Sequence, residues 1–271
     1  MTGVDAEMAA VIDDPFGTLL ALDFDGTLAH IVDEPGAAYA HAHAVEALAR
    51  LAPMLGRVAI VTGRPVHQVV ELGGFHGRPG LESLVVCGQY GAERWEAADG
   101  RPAPSALAEP IRAVIGELPA WLAEHGVADA RLEDKKLAVA IHTRGLAEGS
   151  LQALAGPLKQ LAEAHGLQVE PGREVLELRM VGWDKGRVVE ALVEEFAARH
   201  IVFAGDDLGD LPAFDAVDRL RNAGITGLLV CSASEEQDAL VARADLVVAG
   251  PDGVAEWLGG LADALEQRHP A

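Results

Sequence analysis

Positive charge is scarce in this chain. Of its 271 residues, 21 are Lys or Arg and 42 are Asp or Glu, and the formal net charge is −21. A surface of that sign repels phosphate backbones and anionic bilayers, so neither nucleic acid nor membrane is an expected partner. Lysine is rarer still, four residues against seventeen arginines. Cysteine is nearly absent: Cys87 and Cys231 each end an apolar run, and the pair provides neither zinc-ligand spacing nor a disulfide framework. Both are expected as buried free thiols in a reducing compartment. No apolar run approaches the roughly 20 residues that span a bilayer. The first residues lack the basic segment and apolar stretch of a secretion signal, so a soluble, cytoplasmic protein is expected. Aromatic residues make up 4% of the chain. The core must therefore be built from Ala, Val, Leu and Ile, which suits a buried parallel sheet flanked by helices.

What is present supports a packed globular protein. Half of the residues are hydrophobic and 23% are charged, enough apolar surface to build a core in one large or two modest domains. Short apolar runs at Thr18–Leu22, Arg57–Val61, Ser83–Cys87, His200–Ala204, Gly227–Cys231 and Leu246–Val248 read as buried strands. Helical spacing intervenes at His43–Leu55 and Val66–Leu72, and returns from Lys185 to about Arg199 and from Gly253 to Glu266. This rhythm predicts an α/β fold, a Rossmann-like, doubly wound parallel sheet. Between these parts the texture changes. Arg101–Pro104 reads as a break, and Ser105–His125 as a long helix with Ser105 at its N-cap and Pro110 and Pro119 as points of kinking. Hairpins are predicted at Arg131–Asp134 with Leu137–Thr143 and at Leu167–Glu170 with Glu174–Arg179, separated by a helix over Leu146–His165. That α+β pattern predicts a smaller cap domain at 103–179, inserted into a core made from 1–102 and 180–271.

Chemistry-bearing residues collect at the ends of the predicted core strands. Asp23-Phe24-Asp25-Gly26-Thr27 follows the first strand, and two carboxylates two residues apart can divide labour between nucleophile and general acid/base. Gly26 lets the chain turn away at once. Thr62-Gly63-Arg64 ends the second strand, where a hydroxyl and freed backbone N–H groups can hold an oxyanion. Lys185 opens a helix, an unfavourable place for a cation against the helix dipole unless it faces negative charge. Asp206, Asp207 and Asp210 follow a later strand; together with Asp23 they would repel one another unless a hard cation joined them, and Mg²⁺ fits an all-oxygen ligand set.

These four segments resemble the four motifs of haloacid dehalogenase-type phosphatases, in order and at strand ends. The resemblance implies Asp23 as nucleophile and Asp25 as general acid/base that also lends its backbone carbonyl to Mg²⁺. It implies Thr62 and Lys185 as phosphate-holding groups, with Gly63 and Arg64 beside them, and Asp206 as a metal ligand supported by Asp207 and Asp210. A closer similarity is to trehalose-6-phosphate phosphatases, carried by Gly88–Trp95, Glu133-Asp134-Lys135, His142-Thr143-Arg144 and Glu174–Arg179. It implies a phosphosugar substrate, hydrolysis through an aspartyl-phosphate, and contacts to the sugar from Glu133, Lys135, His142, Arg144 and Glu177. On strands, Glu133 shares a face with Lys135, and His142 with Arg144. The chain departs from the family in carrying Gly209-Asp210-Leu211 where Thr-Asp-Glu is frequent, and in the short Met180–Lys185 spacer. Another sugar phosphatase, a phosphomutase and a non-catalytic sugar-phosphate sensor are the alternative readings. The pattern leaves the number of subunits open.

Overall fold

A computed structural model describes residues 3–104, 108–135, 138–143, 149–172, 175–180, 184–233 and 238–269. The chain divides into two compact units, Met1–Ala103 with Asp184–Ala271, and Pro104–Trp183.

In the first unit the short apolar runs form strands and the periodic segments form helices. The strands are β1 (Thr18–Leu22), β2 (Arg57–Val61), β3 (Leu84–Gly88), β4 (Glu93–Glu96), β5 (Pro102–Pro104), and, later in the chain, β10 (His200–Gly205), β11 (Thr226–Ser232) and β12 (Leu246–Val248). They lie in the order β12-β11-β10-β1-β2-β3-β4-β5. The run from β12 to β3 is parallel and β4 pairs antiparallel to β3. The helices are α1 (Gly3–Asp13), α2 (Ala42–Leu51), α3 (Val66–Leu72), α6 (Lys185–Glu195), α7 (Leu211–Asn222), α8 (Asp238–Val241) and α9 (Gly250–Arg268). Among the described residues no helix is long and apolar enough to cross a membrane.

The period of two along each strand sorts the core onto two faces. Leu20, Leu22, Val58, Ile60, Leu84, Val86, Val202, Ala204, Leu228 and Val230 pack with residues of α1, α2, α3 and α9. The alternate residues are equally buried and meet α6 and α7; Phe203 of β10 stands edge-to-face on Phe214 of α7, with ring centroids 6.1 Å apart. Helices on both faces make the sheet doubly wound, the fold class that the alternating pattern predicts. The carboxyl ends of β1, β2 and β10 then lie side by side, because β1 pairs with both others.

Several element expectations need correcting. Arg101–Pro104, expected as a break, contains β5; proline is tolerated at the edge of a sheet, where no ladder N–H is required. The strand β4 and the helix α7 have no counterpart in the sequence reading. The helix from Lys185 ends at Glu195, earlier than Arg199, since Ala197 turns to φ +48° and the N–H groups of Ala197 and Ala198 close the last turn onto Glu194 and Val193.

In the second unit, β6 (Arg131–Asp134), β7 (Ala138–His142), β8 (Leu167–Gly172) and β9 (Val175–Met180) form a sheet of order β6-β7-β9-β8. It is antiparallel throughout. The helices α4 (Glu109–Glu124) and α5 (Ser150–Ala164) cover one face. Ile111, Val114, Leu118, Leu122, Leu154 and Leu158 from the helices pack on Val139, Ile141, Leu176 and Leu178. Helix α4 starts later than the expected Ser105, with Pro110 in its first turn, a position that needs no N–H partner. The expected N-cap, Ser105, lies outside the described residues.

Candidate active site

At the end of β1 the backbone N–H of Asp23 still donates to the Ala204 carbonyl of β10, at 2.9 Å. That bond carries the ladder one residue past the strand and directs a carboxylate into a buried position. Lys185, the first residue of α6, reaches it: Nζ donates to Asp23 Oδ1 and to Asp210 Oδ1, each at 2.8 Å. Asp210 Oδ2 accepts the N–H groups of Asp206 and Asp207, at 2.9 and 3.3 Å. Both oxygens of Asp210 are thereby committed to holding the lysine and the loop. The Asp206 carboxylate differs, receiving no hydrogen bond from the described residues. It packs against Gly26, where φ is +69° and a Cβ would come within 1.9 Å of Asp206 Oδ2, so only glycine permits this approach. Ser232 Oγ fixes the same turn by donating to the Gly26 carbonyl at 2.6 Å.

One ammonium faces three buried carboxylates, and their proton affinities report the excess. Burial pushes Asp23 up to about 7 against the pull of Lys185. Burial, then the charges of Asp23 and Asp210, push Asp206 up to about 8. Asp210 is raised by burial as well. Burial opposes the charge on Lys185, but Asp23 and Asp210 outweigh it and raise its affinity for the proton. Asp23, Asp206 and Asp210 offer oxygens within 4.8 Å of one another. A hard divalent cation fits this donor set, and the oxygens that Lys185 does not engage, those of Asp206 and the second oxygen of Asp23, are the ones that would hold it. A pH dependence follows. Asp23 and Asp206 bind protons more tightly in the folded chain than at their ordinary value of 3.8. Metal-free protein should therefore lose stability as pH rises from about 4 to about 8, because unfolding releases those protons. Melting temperatures in EDTA should fall across that window. Mg²⁺, by stabilising the ionised carboxylates, should flatten the slope; a slope unchanged by Mg²⁺ counts against metal binding here.

Beside this cluster, Asp25 is held by Arg64 in a two-pronged ion pair, Nε to Oδ2 and Nη2 to Oδ1, both at 2.6 Å. Arg64 Nη1 also donates to the Pro35 carbonyl at 2.7 Å. Thr62 is buried at the end of β2, and its hydroxyl accepts the Arg64 N–H at 3.1 Å. The Gly63 N–H has no acceptor among the described residues. Asp207 is placed apart: it is exposed, and its carboxylate caps the Gly209 N–H at 2.8 Å. Of the residues expected at the site, the structure thus gathers Asp23, Lys185, Asp206 and Asp210 into one buried cluster and pairs Asp25 with Arg64. Asp207 does not join them.

A buried carboxylate on an ammonium, a neighbouring acid and a turn with an open N–H are the parts of a phosphoryl-transfer site. Comparison with known proteins agrees. The trehalose-phosphatase family model matches residues 21–245. The chain belongs to the trehalose-phosphatase family. It is 33% identical over 259 residues to the trehalose-phosphate phosphatase of Mycobacterium marinum (strain ATCC BAA-535 / M), covering 90% of this chain and 61% of that protein. It is 36% identical over 214 residues to an uncharacterized glycosyl hydrolase of Mycobacterium tuberculosis (strain CDC 1551 / Oshkosh), covering 75% of this chain and 15% of that protein. The chain thus spans less than two thirds of the length of either relative. In structure it resembles Aspergillus fumigatus trehalose-6-phosphate phosphatase, crystal form 2, with a TM-score of 0.63, 22% identity, and coverage of 95% of this chain and 97% of that one. At that identity the likeness concerns the fold.

In this member of the trehalose-phosphatase family, the second unit presents a polar sheet face. With Val139, Ile141, Leu176 and Leu178 turned to the helices, the alternate positions fall on the other side. Glu133 and Glu177 flank Ala140 in register. His142 Nε2 lies 2.7 Å from Glu133 Oε2, which helps to hold the Glu133 carboxyl below its usual value. Lys135 Nζ lies 3.4 Å from Glu177 Oε1. The structure therefore brings Glu133, Lys135, His142 and Glu177 together; Arg144 lies outside the described residues. Glu93 and Ser232 escaped the sequence reading as site-building residues. Glu93 Oε2 accepts the Val66 N–H at 3.0 Å, at the start of α3. Glu93 falls within the quoted Gly88–Trp95 motif, which offered a signal without a role. Ser232 sits 206 residues from its partner and offered none.

Proposed function

We propose that this protein is a Mg²⁺-dependent phosphatase that hydrolyses trehalose 6-phosphate to trehalose and phosphate through an aspartyl-phosphate on Asp23. The observation that carries the reading is the buried Asp23–Lys185 contact at the carboxyl end of β1, with Asp206 in the same cluster. Family membership supports the substrate class, and two buried thiols suit a cytoplasmic setting.

Asp23 and Asp206, with the Asp25 carbonyl, would hold the ion. When bound, Mg²⁺ supplies positive charge that neutralises the phosphoryl oxygens and the carboxylates facing them. Lys185 keeps Asp23 oriented and opposes the repulsion between carboxylate and phosphate. Thr62 and the open Gly63 N–H hold phosphoryl oxygens. Once Arg64 lets go of Asp25, that carboxylate takes up a proton from solvent. An oxygen of Asp23 then attacks phosphorus in line, and the bond to the sugar oxygen breaks as Asp25 gives that oxygen the proton. Asp25 then takes a proton from water as the water oxygen attacks phosphorus, which releases phosphate and restores both side chains. Arg64 occupies both oxygens of Asp25 in the ligand-free chain, so it exchanges that carboxylate for the phosphoryl group when substrate arrives; a guanidinium suits either partner. Recognition of the sugar hydroxyls is assigned to Glu133, Lys135, His142, Arg144 and Glu177, since a dense array of hydroxyls calls for charged groups fixed on strands.

The test is phosphate release with Mg²⁺ from trehalose 6-phosphate, sucrose 6-phosphate, glucose 6-phosphate and mannose 6-phosphate. Preference for trehalose 6-phosphate, abolished by EDTA, is expected. Release from another sugar alone would remove the substrate assignment and keep the chemistry, whereas isomerisation without phosphate release would identify a mutase.

A further inference from the structure

Resting on the phosphatase reading above, we infer that Tyr90 is a substrate-contacting residue whose phenol hydroxyl donates to the phosphoryl group held at Thr62–Gly63. Three observations meet here.

The first is backbone strain. Gln89, Tyr90 and Gly91 follow β3 with φ of +48°, +55° and +94°. The left-handed region disfavours a side chain with a Cβ, and two consecutive non-glycine residues there are a departure that the surrounding structure must enforce. Among the described residues the other non-glycine residue at positive φ, Ala197, is accounted for by the end of α6. No helix ends at Gln89 or Tyr90.

The second is what enforces it. The Tyr90 N–H donates to the Thr62 carbonyl and the Gln89 N–H to the Arg64 carbonyl, each at 2.9 Å. Both bonds tie the strained turn to the two residues on either side of Gly63. The strain therefore serves to hold one turn over the other.

The third is where the side chain ends. A Cβ on Gly63 would lie 3.0 Å from both Cζ and Oη of Tyr90. The hydroxyl is thus seated against Gly63, the residue whose N–H lacks an acceptor among the described residues. Tyr90 is 43% exposed, and its hydroxyl has no hydrogen-bond partner among the described residues. The phenol O–H of Tyr90 and the backbone N–H of Gly63, both uncommitted among the described residues, supply two donors for an oxyanion. The absence of a Cβ at Gly63 is what leaves room for the phenol there.

The experiment compares wild type with Tyr90→Phe and Tyr90→Asn. Phenylalanine keeps the ring and removes the donor; asparagine tolerates the left-handed backbone and removes the ring as well. Both should lower kcat/KM by between about tenfold and a hundredfold, the loss of one hydrogen bond to a charged group. The loss should be equal for trehalose 6-phosphate and for p-nitrophenyl phosphate, which has no sugar. The affinity for inorganic phosphate as an inhibitor should weaken in the same direction, while melting temperatures stay close to wild type. A Tyr90→Phe protein with unchanged kinetics and phosphate affinity would overturn the inference, as would a loss confined to trehalose 6-phosphate. If wild type releases phosphate from no phosphosugar, the phosphatase reading fails by itself. Calorimetric titration of inorganic phosphate into wild type and Tyr90→Phe then still decides the contact: equal affinities reject it.

Discussion

Asp23→Asn should reduce phosphate release by about 10⁴-fold or more while the protein stays folded. The side chain is the group placed to form the covalent bond, and an amide of the same shape cannot attack phosphorus. The electrostatics of the cluster make the result more specific than a dead enzyme. In wild type, Asp23, Asp206 and Asp210 share the single ammonium of Lys185. Removing one negative charge relieves repulsion among groups whose proton affinities are already raised by burial and by one another. Metal-free Asp23→Asn should therefore melt no lower than metal-free wild type at about pH 8, where the wild-type carboxylates are forced to ionise. It should also gain less from Mg²⁺, having lost one of the negative charges that would hold the ion. Phosphate release and melting curves with and without Mg²⁺ check all three statements. Turnover within tenfold of wild type would end the assignment of Asp23 as nucleophile.

Lys185→Ala is expected to act on stability as strongly as on activity. Nζ makes hydrogen bonds of 2.8 Å to two carboxylates that are themselves buried. Removing one partner of a buried ionic cluster leaves the others uncompensated, at a cost of roughly 3–5 kcal/mol. In a chain of this size that lowers the melting temperature by on the order of 10 °C. The loss should be largest in EDTA at high pH and partly restored by Mg²⁺, since a divalent cation replaces some of the missing positive charge. Lys185→Arg should not rescue activity: the planar guanidinium does not fit a site shaped for a compact ammonium between two oxygens. An alanine variant that melts like wild type in EDTA would show that the carboxylates are already neutral there, and that the ammonium is not what holds the cluster.

Legibility in the sequence followed the range of the interactions involved. The strands β1, β2, β3, β10 and β11 are short apolar runs buried on both faces, and such runs announce themselves. The helix α3 was predicted over Val66–Leu72, its observed span. The strand β4 was not visible, because Glu93-Arg94-Trp95-Glu96 lacks an apolar run and becomes a strand by pairing with β3. The helix α7 begins at Leu211, directly after the acidic motif, with no cap hydrogen bond from a side chain to mark its start.

The same distinction runs through the site. By itself the sequence determined the α/β class and the kinds of group that gather at the strand ends. Apolar periodicity and strand-end placement are local properties, and a carboxylate after a buried strand has little choice but to emerge at the sheet edge. Only the tertiary structure decided what each carboxylate does. Asp207 and Asp210 are chemically identical and three residues apart, yet they stand at the two ends of one tight turn: Asp207 caps Gly209 at the surface, whereas Asp210 turns inward to Lys185, 25 residues earlier in the chain. Likewise nothing near Asp25 in the sequence announces that Arg64 holds it, or that a strained Tyr90 lies against Gly63. Those pairings follow from β1, β2 and β3 standing side by side in the sheet, which brings together residues that the chain itself keeps far apart.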